Sequence, residues 1–231
     1  MPPAGARQST RVLPDGCVDL ISRGGELLIA GPDLGAFESR PIAGQTIVGL
    51  RLRPGVAGSV LGIPASELRD TRVAIDEVWA RRGPGLADAV AEAGPPALRR
   101  RALEDLLLAR LRDAGEPDRL VLAAADWLGR PGTRVSALGG LLGIGERQLR
   151  RRFDGAVGYG PKVLDRVLRF QRLVAAAPAI AAGDDALARV AAELGYADQA
   201  HLTRECKRLS GLTPARLADA WAPAKKARWA T

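Results

Sequence analysis

The spacing of apolar positions changes once along the chain. In "RVLPDGCVDLI" (11–21) two apolar runs flank Pro14-Asp15-Gly16, a turn signal, and "GELLIAGPDLG" (25–35) sets an apolar run between glycines. "TIVGLRLRPG" (46–55) alternates, with Val48, Leu50 and Leu52 on one face and Gly49, Arg51 and Arg53 on the other, the period of a half-buried strand. Three or more short strands are therefore expected within the first sixty residues. After Pro54 apolar residues recur every three or four positions, which predicts helices near 55–62, 65–70, 75–81, 85–93 and 97–113, separated by Gly and Pro. "DAGEPDR" (113–119) gathers Gly, Pro and acids between two helical patterns, and no strand is expected beyond it.

The fold class that follows is α+β: a small N-terminal β-sheet with helices, then an all-α half. At 231 residues the chain is long enough for two domains that each bury a core. The expected division is 1–116, an α+β sensing or association domain, 117–220, a helical domain, and a C-terminal tail at 221–231.

Charge sharpens this division. Residues 1–116 hold 15 Arg and 15 acids, whereas 117–231 hold 19 Lys plus Arg and 11 acids, so the whole excess of +8 sits in the C-terminal half. Such asymmetry points to a polyanionic partner there, with a merely solubilising face as the alternative. Other classes are disfavoured. The longest apolar stretch, "LVAAAPAIAAG" (173–183), is too short for a membrane span and is interrupted by Pro178. The first ten residues lack the apolar core of a signal peptide, which makes cytoplasmic location the expectation. Two cysteines and one histidine give neither a disulfide framework nor a metal-ligand cluster, so no metal or cofactor is expected. No nucleophile-elbow, Walker or dinucleotide motif occurs, which argues against an enzyme, and Trp79, Trp127, Trp221 and Trp229 form no stacking platform for single strands.

The basic half contains one unit twice. "LGIGERQLRRRFDGAVGYGP" (142–161) and "LGYADQAHLTRECKRLSGLTP" (194–214) align with one extra residue in the second copy. Leu149 then matches Leu202, Arg151 matches Arg204, Phe153 matches Cys206, and Gly158 and Pro161 match Gly211 and Pro214. Each unit follows a short apolar helix and a glycine, "VSALGGLL" with Gly143 or "LARVAAEL" with Gly195. Helix, Gly-containing turn, helix is the helix-turn-helix arrangement, whose second helix enters the DNA major groove. At about 100° per residue, Leu149 and Phe153 share one face and Arg147 and Arg151 point the opposite way, with Gln148 and Arg150 on the flanks. The same construction from Leu202 and Cys206 turns Arg204 outward and leaves Thr203 to the side. Arg matches guanine in a bidentate way, Gln pairs adenine, and Thr contacts base or phosphate.

These residues, from "VSALGGLLGIGERQLRRRF" through "LARVAAELGYADQAHLTRECKRLSGLTPARL", resemble the DNA-binding domain of AraC/XylS-type bacterial transcription regulators over about 118–219. The resemblance implies seven helices, with two helix-turn-helix subdomains joined by a linker helix near 161–176. It implies Arg147, Arg150 and Arg151, with Gln148 beside them, as base-reading positions in the first unit. In the second unit it implies Gln199, Thr203 and Arg204, and it leaves Arg152, Lys207 and Arg208 to phosphates or solvent. Double-stranded DNA and RNA polymerase are the implied partners, with a small-molecule effector for the N-terminal half, a homodimer, and no membrane. A protein that binds a metabolite and docks RNA or an acidic protein through its basic half is the alternative.

Departures from the family pattern are local. Gly145 stands where a capping Ser is usual, and Gly139-Gly140 replaces an alanine-rich pair, at about 1 kcal/mol of helix propensity per Gly. His201 and Cys206 replace bulkier side chains; His201 is expected to flank DNA or to pack, and Cys206 to be a small core residue. The N-terminal segments "LPDGCVDLI", "GLRLRPG" and "LGIPASELRD" resemble the N-terminal domain of an AraC-like subgroup without an established ligand. Sixty residues of strand-like sequence are too few for the eight-stranded jelly roll of sugar-sensing relatives, so sugar binding is not carried over. Cys17 is expected to be a buried strand thiol, and "RALEDLLLARL" (101–111) either a core or a dimer helix.

Overall fold

A computed structural model of the protein describes residues 9–40, 44–80, 85–180 and 184–220. The described residues of the N-terminal half hold six strands, β1 (Thr10–Val12), β2 (Val18–Arg23), β3 (Glu26–Ala30), β4 (Phe37–Ser39), β5 (Ile47–Leu52) and β6 (Arg72–Ala74). They form a four-stranded antiparallel sheet in the order β5-β2-β3-β6 and a separate β1-β4 pair. The alternation expected for β5 is present, since Val48 and Leu52 are buried while Gly49 and Arg51 face out. Arg51 lies opposite Asp19 in the register and bonds it with Nε and Nη2, both at 2.9 Å, which pins β5 to β2.

One face of this sheet is covered by short helices: α1 (Ala57–Leu61), a 3-10 turn (Ala65–Leu68), α2 (Ile75–Val78), α3 (Leu86–Glu92) and the long α4 (Pro96–Ala114). Leu20, Ile29, Val60, Leu68, Ile75 and Leu103 meet there in one buried cluster. Each such side chain contributes about 1.5–3 kcal/mol by leaving water. The 101–111 stripe is a core stripe, with Leu103 and Leu107 buried against the sheet and α1. The outer side of α4 carries the ion pairs Arg100–Glu104 and Arg101–Asp105.

The strand pairing adds one finding for this half and corrects two expectations. The apolar runs of 11–21 belong to different sheets, because β1 pairs with β4 while β2 pairs with β3 and β5. β4 and β6 lie where no strand was expected, each three residues long and too short to show a period. Cys17 precedes β2 and sits in the turn, where its N–H donates to Asp15 Oδ1 at 2.9 Å.

Beyond 118 the described residues contain α-helices and one 3-10 turn, Val135–Ala137. The helices are α5 (Arg119–Leu128), α6 (Leu138–Leu142), α7 (Glu146–Val157), α8 (Pro161–Ala175), α9 (Ala177–Ile180), α10 (Asp184–Glu193), α11 (Gln199–Ser210) and α12 (Pro214–Ala220). α8 takes the place expected for the linker helix. α9 makes one helix more than the family pattern, because Pro178 can neither donate an N–H nor clear the carbonyl four residues back, so the helix breaks at Ala176. Asp118 starts α5 by accepting from the N–H groups of Leu120 and Val121 at 3.0 and 3.3 Å. Among the described residues no helix is long and apolar enough to cross a membrane. The expected tail at 221–231 lies outside the described residues.

A second cluster, centred on Phe153, Leu164, Phe170 and Leu202, forms the C-terminal core. It does not stop at 113–119 in space, since Leu13 is buried in it and Leu34 and Ala36 pack against it.

Two outcomes follow from these local environments. A Cβ at Gly140 would meet nothing within 4 Å, whereas one at Gly139 would lie 3.1 Å from the Ile144 carbonyl oxygen. Gly140→Ala should therefore raise stability by about 0.8–1 kcal/mol in chemical denaturation, and Gly139→Ala by distinctly less. Burial, reinforced by Asp15 and Asp19 against the opposing Arg51, pushes the Cys17 thiol from 9.0 up to about 12. At pH 8 it should react with a disulfide reagent far more slowly in the folded chain than in the denatured one. Its contribution to stability is present below pH 9 and is lost as pH rises toward about 12, a dependence that Cys17→Ala should reduce in denaturant titrations.

Candidate nucleic-acid interface

Each unit of the repeat builds the same local geometry. α6 ends at Gly143, a left-handed residue at φ 65° whose N–H returns to the Gly139 carbonyl. Gly145 then opens α7 in an extended conformation with no side-chain cap. In the second unit the cap is present: Asp198 Oδ1 accepts the His201 N–H at 2.5 Å at the start of α11. α7 and α11 both close on a left-handed glycine, Gly158 at φ 97° and Gly211 at φ 72°.

Leu149, Phe153, Leu202 and Cys206 are all buried, as the pairing of the two copies requires. Cys206 fills the position of Phe153 with a smaller side chain, and the buried Ser210 hydroxyl beside it donates to the Cys206 carbonyl at 2.6 Å. Burial pushes the Cys206 thiol up, with Ser210 opposing. It is a packing residue.

The opposite faces carry the residues singled out in the sequence. Arg147, Gln148, Arg150 and Arg151 are exposed on α7; Gln199 and Arg204 are exposed on α11, and Thr203 is half-buried beside them. Among the described residues Arg147, Arg151, Arg204 and Lys207 form no ion pair, so their charges are held only by solvent. Arg150 approaches Asp154 at 4.0 Å and Arg208 approaches Glu205 at 4.0 Å, contacts on exposed guanidinium groups that are worth little.

Arg152 is set apart from its neighbours. It turns back to Asp118, Nη1 to Oδ2 at 2.7 Å, and ties α7 to the cap of α5. The expectation that it faces phosphates or solvent is corrected to this extent: it has a protein partner, and releasing it would free the Asp118 carboxylate as well.

Residues that place α11 on the linker helix escaped the sequence reading. Arg166 of α8 bonds Glu205 of α11 at 2.9 Å. Arg169 pairs with Asp165, donates to the Gly195 carbonyl at 3.2 Å, and lies 5.4 Å from the centre of the Tyr196 ring. The Tyr196 ring meets His201 edge-on at 5.4 Å, and His201 Nδ1 accepts the Ala197 N–H at 3.3 Å, so the lone histidine is a packing residue. Burial pushes the Tyr196 hydroxyl up, against the opposing charge of Arg169. Asp165 and Arg169 sit four apart on one helix and could have been paired from the sequence; Arg166 and Glu205 carry no such signal.

Comparisons with known proteins agree with this geometry. Residues 138–220 match the family model of a helix-turn-helix domain, and residues 2–74 match that of a domain of unknown function, DUF6597. None of the curated proteins matches the chain. ToxT from Vibrio cholerae is similar in structure with a TM-score of 0.46 and 8% identity, over 92% of this chain and 98% of that one. An apo single-residue variant of ToxT from Vibrio cholerae strain SCE256 gives 0.43 and 10%, over 93% and 89%. The assignment rests instead on the domain match and on the two units that it spans. With both helix-turn-helix units carried on one linker helix, residues 138–220 form an AraC-type helix-turn-helix domain, which supports a DNA-binding transcription regulator.

Proposed function

We propose that the protein reads a specific double-stranded site by placing α7 and α11 in successive major grooves, about 34 Å apart along the duplex. Arg147, Gln148, Arg150 and Arg151 read bases in one groove and Gln199, Thr203 and Arg204 in the next. Lys207 and Arg208 hold phosphates, with Arg152 a weaker member of that set. The observation that carries this reading is the equivalent placement of Arg151 and Arg204, both exposed and without an ion pair, on two helices seated by matching residues. A guanidinium left in solvent needs no protein contact broken before it meets a base edge.

The proposed division of labour is 1–116 for sensing or association and 117–220 for DNA. The neutral charge balance of the first part and the +8 of the rest support it. The family resemblance supports RNA polymerase as protein partner, a small-molecule effector acting on the N-terminal half, a homodimer, cytoplasmic location and the absence of catalysis.

Arg151→Ala and Arg204→Ala should each weaken binding to the selected duplex by roughly 1–3 kcal/mol and relax base preference at separate positions about one turn apart. Titration against duplexes substituted one base at a time checks this, and two variants with unchanged base preferences would remove the assignment. With about six phosphate contacts, affinity should fall on the order of a thousandfold between about 50 and about 200 mM salt. Competition by unrelated duplex or by single-stranded RNA should be far weaker than by the selected site; equal competition would favour a nonspecific polyanion-binding surface.

A further inference from the structure

Behind the reading faces, the N-terminal half touches both recognition helices and the helix between them. At α7 the contact is backbone to backbone. A Cβ on Gly58 of α1 would meet the Gly155 carbonyl oxygen at 2.4 Å and Ala156 Cα at 3.3 Å, so the two helices lie closer than a side chain at this position allows. At α11 the contact is a charge on a helix end. Arg11 Nη1 donates to the Ser210 carbonyl at 3.0 Å, in the last turn, where the helix dipole favours a cation, while Nη2 bonds Glu38 at 2.9 Å. Between them, Gln171 of α8 donates to the Pro14 carbonyl at 2.7 Å.

These contacts share a location. They fall at Gly155 and Ser210, in the C-terminal turns of the two helices, and leave Arg147, Arg151 and Arg204 exposed. Within the C-terminal half alone, α11 is tied to α8 by the Arg166–Glu205 pair and by the apolar core that holds Leu202 and Cys206 together with Leu164 and Phe170. The N-terminal half adds a second path between α7 and α11, through α1 on the four-stranded sheet at one end and the β1-β4 pair at the other.

We propose that the N-terminal half is a brace that fixes the orientation of α7 relative to α11 and thereby selects the spacing between the two DNA half-sites, with Gly58 and Arg11 as its positioning residues. This rests on the reading of α7 and α11 as base-reading helices. One base pair more or less between half-sites moves the second groove by about 3.4 Å and turns it by about 35°. A braced pair of helices resists that change, and an unbraced pair follows it.

The test uses the full chain and a set of duplexes holding the selected half-sites at the native spacing, one base pair shorter, and one and two longer. Wild type should lose about tenfold or more in affinity for each altered spacing. In Gly58→Leu, which wedges α1 off α7, and in Arg11→Gln, which frees the end of α11, that loss should shrink to about threefold or less, with affinity for an isolated half-site unchanged. Should Gly58→Leu not fold, the partly exposed Arg11→Gln decides alone. A uniform drop at all spacings, an unchanged spacing profile, or a wild type indifferent to spacing would overturn the brace. Failure of wild type to prefer any duplex sequence would instead overturn the reading of the two helices.

Discussion

Each recognition helix is seated by two apolar side chains four residues apart, and every property of its outer face follows from that seating. Leu149 with Phe153, and Leu202 with Cys206, lie at or below 3% exposure. Burying such a pair fixes the rotation of the helix about its axis, because a slip of one residue would turn the buried face by about 100° and carry a charged side chain into the core. The outward direction of Arg151 and Arg204 is thus set by apolar contacts on the other side of the helix. Cys206 occupies with a much smaller side chain the position that Phe153 fills in the first copy, and both are fully buried.

The arginines of the basic half divide into two groups by what they touch. Arg152, Arg166 and Arg169 are committed to carboxylates, carbonyls and an aromatic ring, and they assemble the domain. Arg147, Arg151 and Arg204 touch no acid among the described residues. The three paired arginines cancel against Asp118, Glu205 and Asp165 of the same half, so the +8 of this half is carried by side chains outside those pairs. Partner acids define the difference, and for two of the three they come from outside the arginine's own helix: Asp118 lies 34 residues before Arg152, and Glu205 belongs to α11 while Arg166 belongs to α8.

This also marks what the sequence could and could not convey. The alternation of β5 and the helices from α1 to α4 were legible because each is a periodic pattern in consecutive residues, and the doubled unit because its two copies place like residues at like positions. β4 and β6 were not legible, since three residues carry no period and their strand state comes from pairing with β1 and β3. The turn at Pro14-Asp15-Gly16 was visible, yet which strands it separated depended on partners far along the chain. The outward residues of α7 and α11 could be named from the wheel; the isolation of Arg152 from them could not, because its partner lies at the head of another helix.

The close approach at Gly58 and Gly155 bears on how such proteins diverge. Fusing a helix-turn-helix half to a different N-terminal half is an easy genetic event, but here the junction is a shared surface where Gly58 lies against the α7 backbone at the Gly155 carbonyl, while a Cβ on Gly155 would meet nothing within 4 Å. A new partner domain would need a residue without a side chain at the matching point, or would sit farther from α7 and lose the contact. The two halves of this chain are therefore constrained to change together, even though the sequence between them reads as a linker.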